Sequence, residues 1–183
     1  TDKEFAEKCL EASKKAWGYL EEHDVLVYKS IGAITTGAYG DSKDIDERYY
    51  AAAALLDVTG EQKYADAIVK YTETKSDLEF GWQYVGSYGS AIILTSDNCK
   101  KMLPADTYKS IKDNFIAEAD TFKEIADNDG YMISFLEDDY IWGSNMHIAN
   151  NAMHLIYASD ITGNNSYKEA AKNHLNYIFG VNP

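Results

Sequence analysis

Apolar residues at the start of the chain recur every three or four places: Phe5, Cys9, Leu10, Ala12, Ala16, Trp17 and Leu20. That spacing is the helical period and predicts an amphipathic helix over residues 3–22. The period fades over 23–43, where Gly32, Gly37 and Gly40 gather and a long loop is expected. It returns over 44–58 and 61–74. Asp44 or Asp46 suits the first of these helix starts, because a carboxylate there satisfies free N–H groups. Residues 76–85 are irregular, and 84–96 read as a helix broken by glycine. Pro104 fits the first turn of a helix reaching about Ala126, and Asn128-Asp129-Gly130 signals a turn. Residues 131–142 allow short extended pieces. Helices over 144–159 and 166–179 complete the pattern, with Ser166 as an N-cap. About seven helices and no linker predict an all-α protein, one domain over residues 1–183.

One segment occurs nearly twice. Asp57-Val-Thr-Gly-Glu-Gln-Lys-Tyr64 is matched by Asp160-Ile-Thr-Gly-Asn-Asn-Ser-Tyr167. In each copy a helix ends at Asp-Val or Asp-Ile, and Thr-Gly makes the turn. Glycine takes the left-handed conformation that ends a helix cheaply. The tyrosine four residues on folds back against the preceding helix. Each copy therefore reads as an αα-hairpin. Small residues precede both, Ala51-Ala-Ala-Ala54 and Ala149-Asn-Asn-Ala152, and allow helices to approach closely. Repeated hairpins build solenoids or closed toroids.

A net charge of −13 repels phosphate backbones and anionic lipid, so nucleic acid and acidic membranes are excluded as partners. No apolar run is long enough for a membrane span, and Thr1-Asp-Lys-Glu4 reads as the entry to a helical pattern rather than as a signal peptide. Cys9 and Cys99 lack metal-ligand spacing and are expected as two buried free thiols. The fifteen tyrosines change the picture more. Tyrosine favours surfaces that are both apolar and wet, which suits flat polar ligands such as sugar rings.

Trp142-Gly-Ser-Asn145, Ala149-Asn-Asn-Ala152, Tyr157-Ala158, Thr162-Gly163, Tyr167 and Tyr177-Ile-Phe-Gly-Val-Asn-Pro183 together resemble glycoside hydrolase family 9, the endoglucanase and cellobiohydrolase cellulases. Thr36-Gly-Ala-Tyr-Gly-Asp41, then Asp46-Glu47 and Thr59-Gly60, resemble the same family in order and spacing. The resemblance implies an (α/α)6 barrel, with a sugar cleft built from loops at one end and Thr-Gly turning the chain from inner to outer helices. It also implies an inverting mechanism acting on cellulose or a soluble β-1,4-glucan, and secretion, since an insoluble polymer stays outside the cell. Inversion needs two carboxyls about 6.5–9.5 Å apart with a water between them. By the resemblance the base lies in an Asp-rich motif upstream of these residues. The acid, a Glu, and a His-Arg motif lie downstream of Asn182-Pro183. No catalytic residue is therefore assigned here, and the chain is expected to be a partial barrel, inactive alone. The acidic pairs Asp138-Asp139 and Glu21-Glu22 read as solvated surface.

Several positions are carried over from the family. Trp142 and Trp82 are expected to stack on sugar rings, with Tyr39, Tyr140, Asp41 and His147 as further substrate contacts. The resemblance also implies Ca2+, held by the Ser42 and Lys43 carbonyls and the Asp46 and Glu47 side chains, a mixed oxygen set that this ion favours. Gln83 stands near where the family has a further Asp ligand. His154 and His174 read as helix residues without partners, and His23 as surface. The competing readings are a helical-repeat scaffold and another α/α-toroid carbohydrate enzyme. Tyr39, Trp82, Tyr140 and Trp142 all fall outside the expected helices, which favours sugar binding. A partial barrel leaves apolar surface open, to be covered by the remainder of the catalytic domain or by self-association.

Overall fold

The computed structural model describes residues 2–24, 32, 40–41, 43–73 and 80–181. Among them are eight α-helices and no strand. They are α1 (Lys3–Glu22), α2 (Ile45–Thr59), α3 (Gln62–Glu73), α4 (Gly86–Thr95), α5 (Asp97–Met102), α6 (Ala105–Asn128), α7 (Ser144–Thr162) and α8 (Asn165–Ile178).

Burial separates them into two layers. Helix α4 is covered nearly all round, from Gly86, Ser87, Gly89 and Ser90 to Ala91, Ile93 and Leu94. Helices α2 and α7 bury Tyr49, Ala52, Ala53, Leu55 and Leu56, and Ile148, Ala152, Leu155 and Ala158. Helices without a polar face belong inside. Helices α1, α3, α6 and α8 are amphipathic and wrap these three. The repeated corners join the layers: Gly60 (φ 66°) turns α2 into α3, and Gly163 (φ 75°) turns α7 into α8. Tyr64 and Tyr167 fold back into the core as expected, at 0% and 4% exposure.

Contacts fix the directions. The Val85 amide donates to Asp46 Oδ2 (2.7 Å), and Tyr49 meets Ser90 (Oη to Oγ, 3.1 Å), so α2 and α4 run parallel. Leu94 meets Tyr108, while Phe80 meets Phe115, so α6 runs back along α4. Phe115 meets His154, while Phe122 and Ile125 face His147 and Asn150, so α7 reverses again. The N-termini of α2, α4 and α7 therefore share one end of the molecule.

Arg48, the only arginine, ties α1 to α2. It pairs with Asp44 (2.9 Å) and donates to the carbonyls of Leu20, His23 and Asp24. These carbonyls lie at or just past the end of α1, where free acceptors need a donor. Asp44 is thus engaged by Arg48 rather than by the α2 amides, and Asp46 serves Val85, so neither side chain caps α2 as expected.

Other expectations are corrected. Helix α5 is additional: six residues are too few to show a period, although Ser96 caps it through the Cys99 amide (3.1 Å). The stretch 131–142 holds a 3-10 turn, Glu137–Asp139, entered from an extended Leu136 and without a strand, because Asp139 Oδ2 takes the Leu136 amide and closes the chain locally. Asn164, not Ser166, caps α8 by accepting from the Ser166 amide (3.1 Å). Cys99 is buried but Cys9 is exposed, since it lies on the side of α1 that no described element covers. There an apolar groove of ≈ 720 Å³ runs between α1 and α2, past Cys9, Leu10, Trp17, Leu20, Leu55 and Val58. None of the eight helices is long and apolar enough to cross a membrane.

Candidate functional site

The end shared by the inner-helix N-termini carries most of the candidate residues. Trp82 precedes α4 and is 54% exposed; Trp142 precedes α7 and is 97% exposed. Neither indole is held in the core, unlike Trp17, which packs edge-on against Tyr64 (5.3 Å between centroids). Tyr140 is exposed and rests edge-on against buried Phe135. Tyr39 and Ser42 lie outside the described residues.

Beneath this rim is a polar cavity of ≈ 330 Å³. His147, Asn150 and Asn151 enter it from α7, Glu118 and Phe122 from α6, and Asp138, Asp139 and Ile141 from the loop before α7. Phe80 and His154 also line it. His147 was expected from the sequence; Asn150, Asn151, Glu118 and Asp138 were not. The asparagines lay within a stretch read only as small spacers, although Asn-Asn on a buried helix is itself a signal of polar work. Asp138 and Asp139 are exposed, as expected of an acidic pair, yet they face the cavity.

His154 and His174 both have partners, contrary to the sequence expectation, because a buried imidazole needs its ring nitrogens satisfied. His154 Nε2 donates to the Phe115 carbonyl (2.8 Å) and its ring stacks on that phenyl at 3.8 Å. Burial pushes its pKa down to about 4, against the pull of that carbonyl. His174 contacts Ser134 and the Ala170 carbonyl, and burial lowers its pKa too. His23 is exposed, as expected, and lies over Tyr19.

A second cluster sits at the start of α2. Asp46 is buried and accepts from Val85. Glu47 is half-buried, and its Oε2 is enclosed without a hydrogen-bond partner. Burial pushes the Glu47 carboxyl up to about 7; its own backbone amide opposes this, while the charges of Asp46 and Asp41 add to it. Asp41 Oδ1 accepts from the Lys43 amide (3.1 Å), and Gln83 Nε2 donates to the Gly40 carbonyl (3.1 Å). Among the described residues no three His, Cys, Asp or Glu side chains are gathered as a metal cluster, so an ion here requires backbone carbonyls as well.

The sequence profile of Glycosyl hydrolase family 9 matches residues 1–183. Endoglucanase D of Acetivibrio thermocellus is 30% identical over 185 residues, covering 99% of this chain and 29% of that protein. Endoglucanase C of Cellulomonas fimi is 31% identical over 188 residues, covering 99% and 17%. The solved structure of AaCel9A in complex with cellobiose-like isofagomine superposes with a TM-score of 0.91 at 28% identity, covering 100% of this chain and 34% of that one. The chain thus spans about a third or less of the length of these relatives.

Proposed function

The chain belongs to glycosyl hydrolase family 9 and is part of an (α/α)6 barrel, and from that premise we propose that it forms part of a cellulase catalytic domain that hydrolyses β-1,4-glucosidic bonds by inversion. This segment supplies cleft wall and sugar-stacking aromatics, while the acid and base lie outside it. The carrying observation is the placing of solvent-facing Trp82 and Trp142 at the shared end of parallel inner helices, beside a cavity lined by His147, Asn150 and Asn151. Indole faces take the apolar face of a pyranose, and amides and carboxylates take its hydroxyls. The likeness to a barrel solved with a cellobiose-like ligand supports the same reading. Cellulose or a soluble β-1,4-glucan is then the substrate, and an enzyme acting on an insoluble polymer works outside the cell.

Calcium at the start of α2 belongs to this proposal. The residues present suit a hard dication, since a buried Glu47 oxygen lacks a donor and the charges of Asp46 and Asp41 act on the same carboxyl, with backbone carbonyls left to complete the oxygen set. Asp46, Glu47 and the Lys43 carbonyl would hold the ion, together with Ser42. When bound, it would supply the positive charge that these carboxylates lack. Gln83 meanwhile braces the same loop by its bond to Gly40. The apolar α1–α2 groove is proposed to receive the remaining helices of the same catalytic domain, with self-association as its substitute when the chain is isolated.

Calorimetric titration of the chain with cellohexaose tests the glucan reading, because heat reports binding whether or not the indoles are present. A saturable heat is expected in the wild type and is lost in Trp82→Ala/Trp142→Ala. No heat at millimolar sugar overturns it. Hydrolysis of soluble cellulose by the isolated chain is expected to be undetectable, and robust turnover would contradict the placing of acid and base outside it.

A further inference from the structure

Residues 131–143 form a strap between α6 and α7 with a small core of its own. Ile133, Phe135 and Ile148 are buried together and pack against Tyr177 and Ile178, apart from the main core. At the middle of this small core is a polar group, Ser134, at 4% exposure. Helix α8 reaches it with His174, which is 0% exposed.

The hydrogen bonds fix the imidazole tautomer. His174 Nδ1 lies 2.8 Å from the Ala170 carbonyl, which only accepts, so Nδ1 carries the proton. Nε2 is then a bare acceptor. It takes the Ser134 amide (3.0 Å) and the Ser134 hydroxyl (2.7 Å). The hydroxyl oxygen in turn accepts from Asn151 Nδ2 on α7 (2.9 Å). One serine is thereby bonded to two helices, through its backbone and its side chain.

Beyond Phe135 the strap is exposed through Gly143. The bonds within this stretch are local: Leu136 to Asp139, Ile141 to Asp139, and Ser144 to Ile141. Asp129 holds the strap's start by accepting from Tyr131 and Ile133. Two neighbouring anchors hold the strap's deep end: the buried Phe135 ring, on which Tyr140 rests, and the hydrogen-bonded Ser134 beside it. We propose that His174 is a positioning residue for the rim: through Ser134 it fixes the strap that presents Tyr140 and Trp142, although α8 itself lies on the outer layer. The substrate part of this inference rests on the glucan reading above; the anchoring part does not.

Hydrogen–deuterium exchange and cellohexaose titration on the 183-residue chain separate the two. His174→Phe and Ser134→Ala are expected to raise exchange across 136–143 about tenfold, the scale of one lost buried hydrogen bond. Exchange over α4 is expected to stay at the wild-type level. His174→Gln keeps an acceptor and is expected to retain protection. Cellohexaose affinity is expected to fall roughly fivefold to tenfold in the first two variants and to recover in His174→Gln. If His174→Phe also releases α4, Ser134→Ala decides, because it removes a single oxygen. Unchanged exchange over 136–143 overturns the anchor, and loosened exchange with wild-type affinity overturns the positioning role. The expected exchange pattern without sugar binding by the wild type supports the anchor and overturns the glucan reading.

Discussion

Thr59 and Thr162 occupy the same place in two corners of the fold. Each hydroxyl donates to the carbonyl four residues back, Leu55 or Ala158, at 2.6 Å in both. Each accepts from the amide two residues on, Glu61 at 3.2 Å and Asn164 at 3.1 Å. The glycine between them closes the helix onto Leu56 or Ser159. Equal geometry predicts equal cost. Gly60→Ala and Gly163→Ala each place a Cβ at positive φ, and neither meets a close neighbour, so about 1–2 kcal/mol of backbone strain is expected at each. Urea midpoints check this. A large loss at one corner with none at the other would show that the corners are not equivalent.

Gly89 differs in kind. A Cβ there meets the Tyr49 ring at 2.8 Å and the Tyr50 Cα at 3.1 Å. The second of these is backbone and cannot swing aside. Gly89→Ala is therefore expected to push α4 from α2 and cost roughly 2–3 kcal/mol, read by thermal melting. A neutral outcome would mean that the α2–α4 packing is looser than the structure shows.

Gly86 and Gly89 also show how much was legible in advance. The period of 3.6 disclosed the long helices, and the Thr-Gly repeat disclosed the hairpins, because both signals are local. Glycine in 84–96 read as interruption, yet α4 is continuous, and Gly89 is where it meets α2; that meaning depends on a neighbour forty residues away. His154 and His174 looked inert for the same reason, their partners lying on α6 and before α7. Trp82 and Trp142 were placed outside helices correctly, since rim loops lack periodicity. The cavity wall of Glu118, Asp138, Asn150 and Asn151 needs three elements brought together, and no spacing along the chain announces it.

Proton linkage acts with opposite signs at two sites. The folded His154 has a pKa near 4, against an ordinary 6.5. Between these values the unfolded chain takes a proton that the folded chain refuses. Stability is therefore present above pH 6.5 and is lost as pH falls toward 4, by about 3 kcal/mol for this residue. The folded Glu47 carboxyl sits near 7, against 4.5. It holds a proton that the unfolded chain has released, so its contribution is full below pH 4.5 and is lost as pH rises through 7. The expected results are a His154 ring resonance that does not titrate between pH 5.5 and 7.5, and a Glu47→Gln variant whose melting temperature gains on the wild type from pH 4.5 to 8. Millimolar Ca2+ is expected to narrow that gap at pH 8. An unchanged gap there, with no heat on calcium titration, would remove the metal proposal.

Trp17 and Trp142 make the sharpest contrast between core and rim. Trp17 is 3% exposed and Trp142 is 97% exposed. Trp17→Ala empties a core site and is expected to cost about 3–5 kcal/mol of stability. Trp142→Ala removes almost no buried area, so its stability is expected to stay within about 0.5 kcal/mol of the wild type. An exposed indole preceding an inner helix has another use if it stacks on glucose. Cellohexaose affinity is then expected to fall about tenfold in Trp142→Ala, while Trp142→Phe, which keeps an aromatic face, loses less. Denaturation and calorimetric titration on the same samples separate the two effects. Wild-type affinity in Trp142→Ala would take the rim tryptophan out of the sugar path and leave Trp82 and the polar cavity to hold the chain.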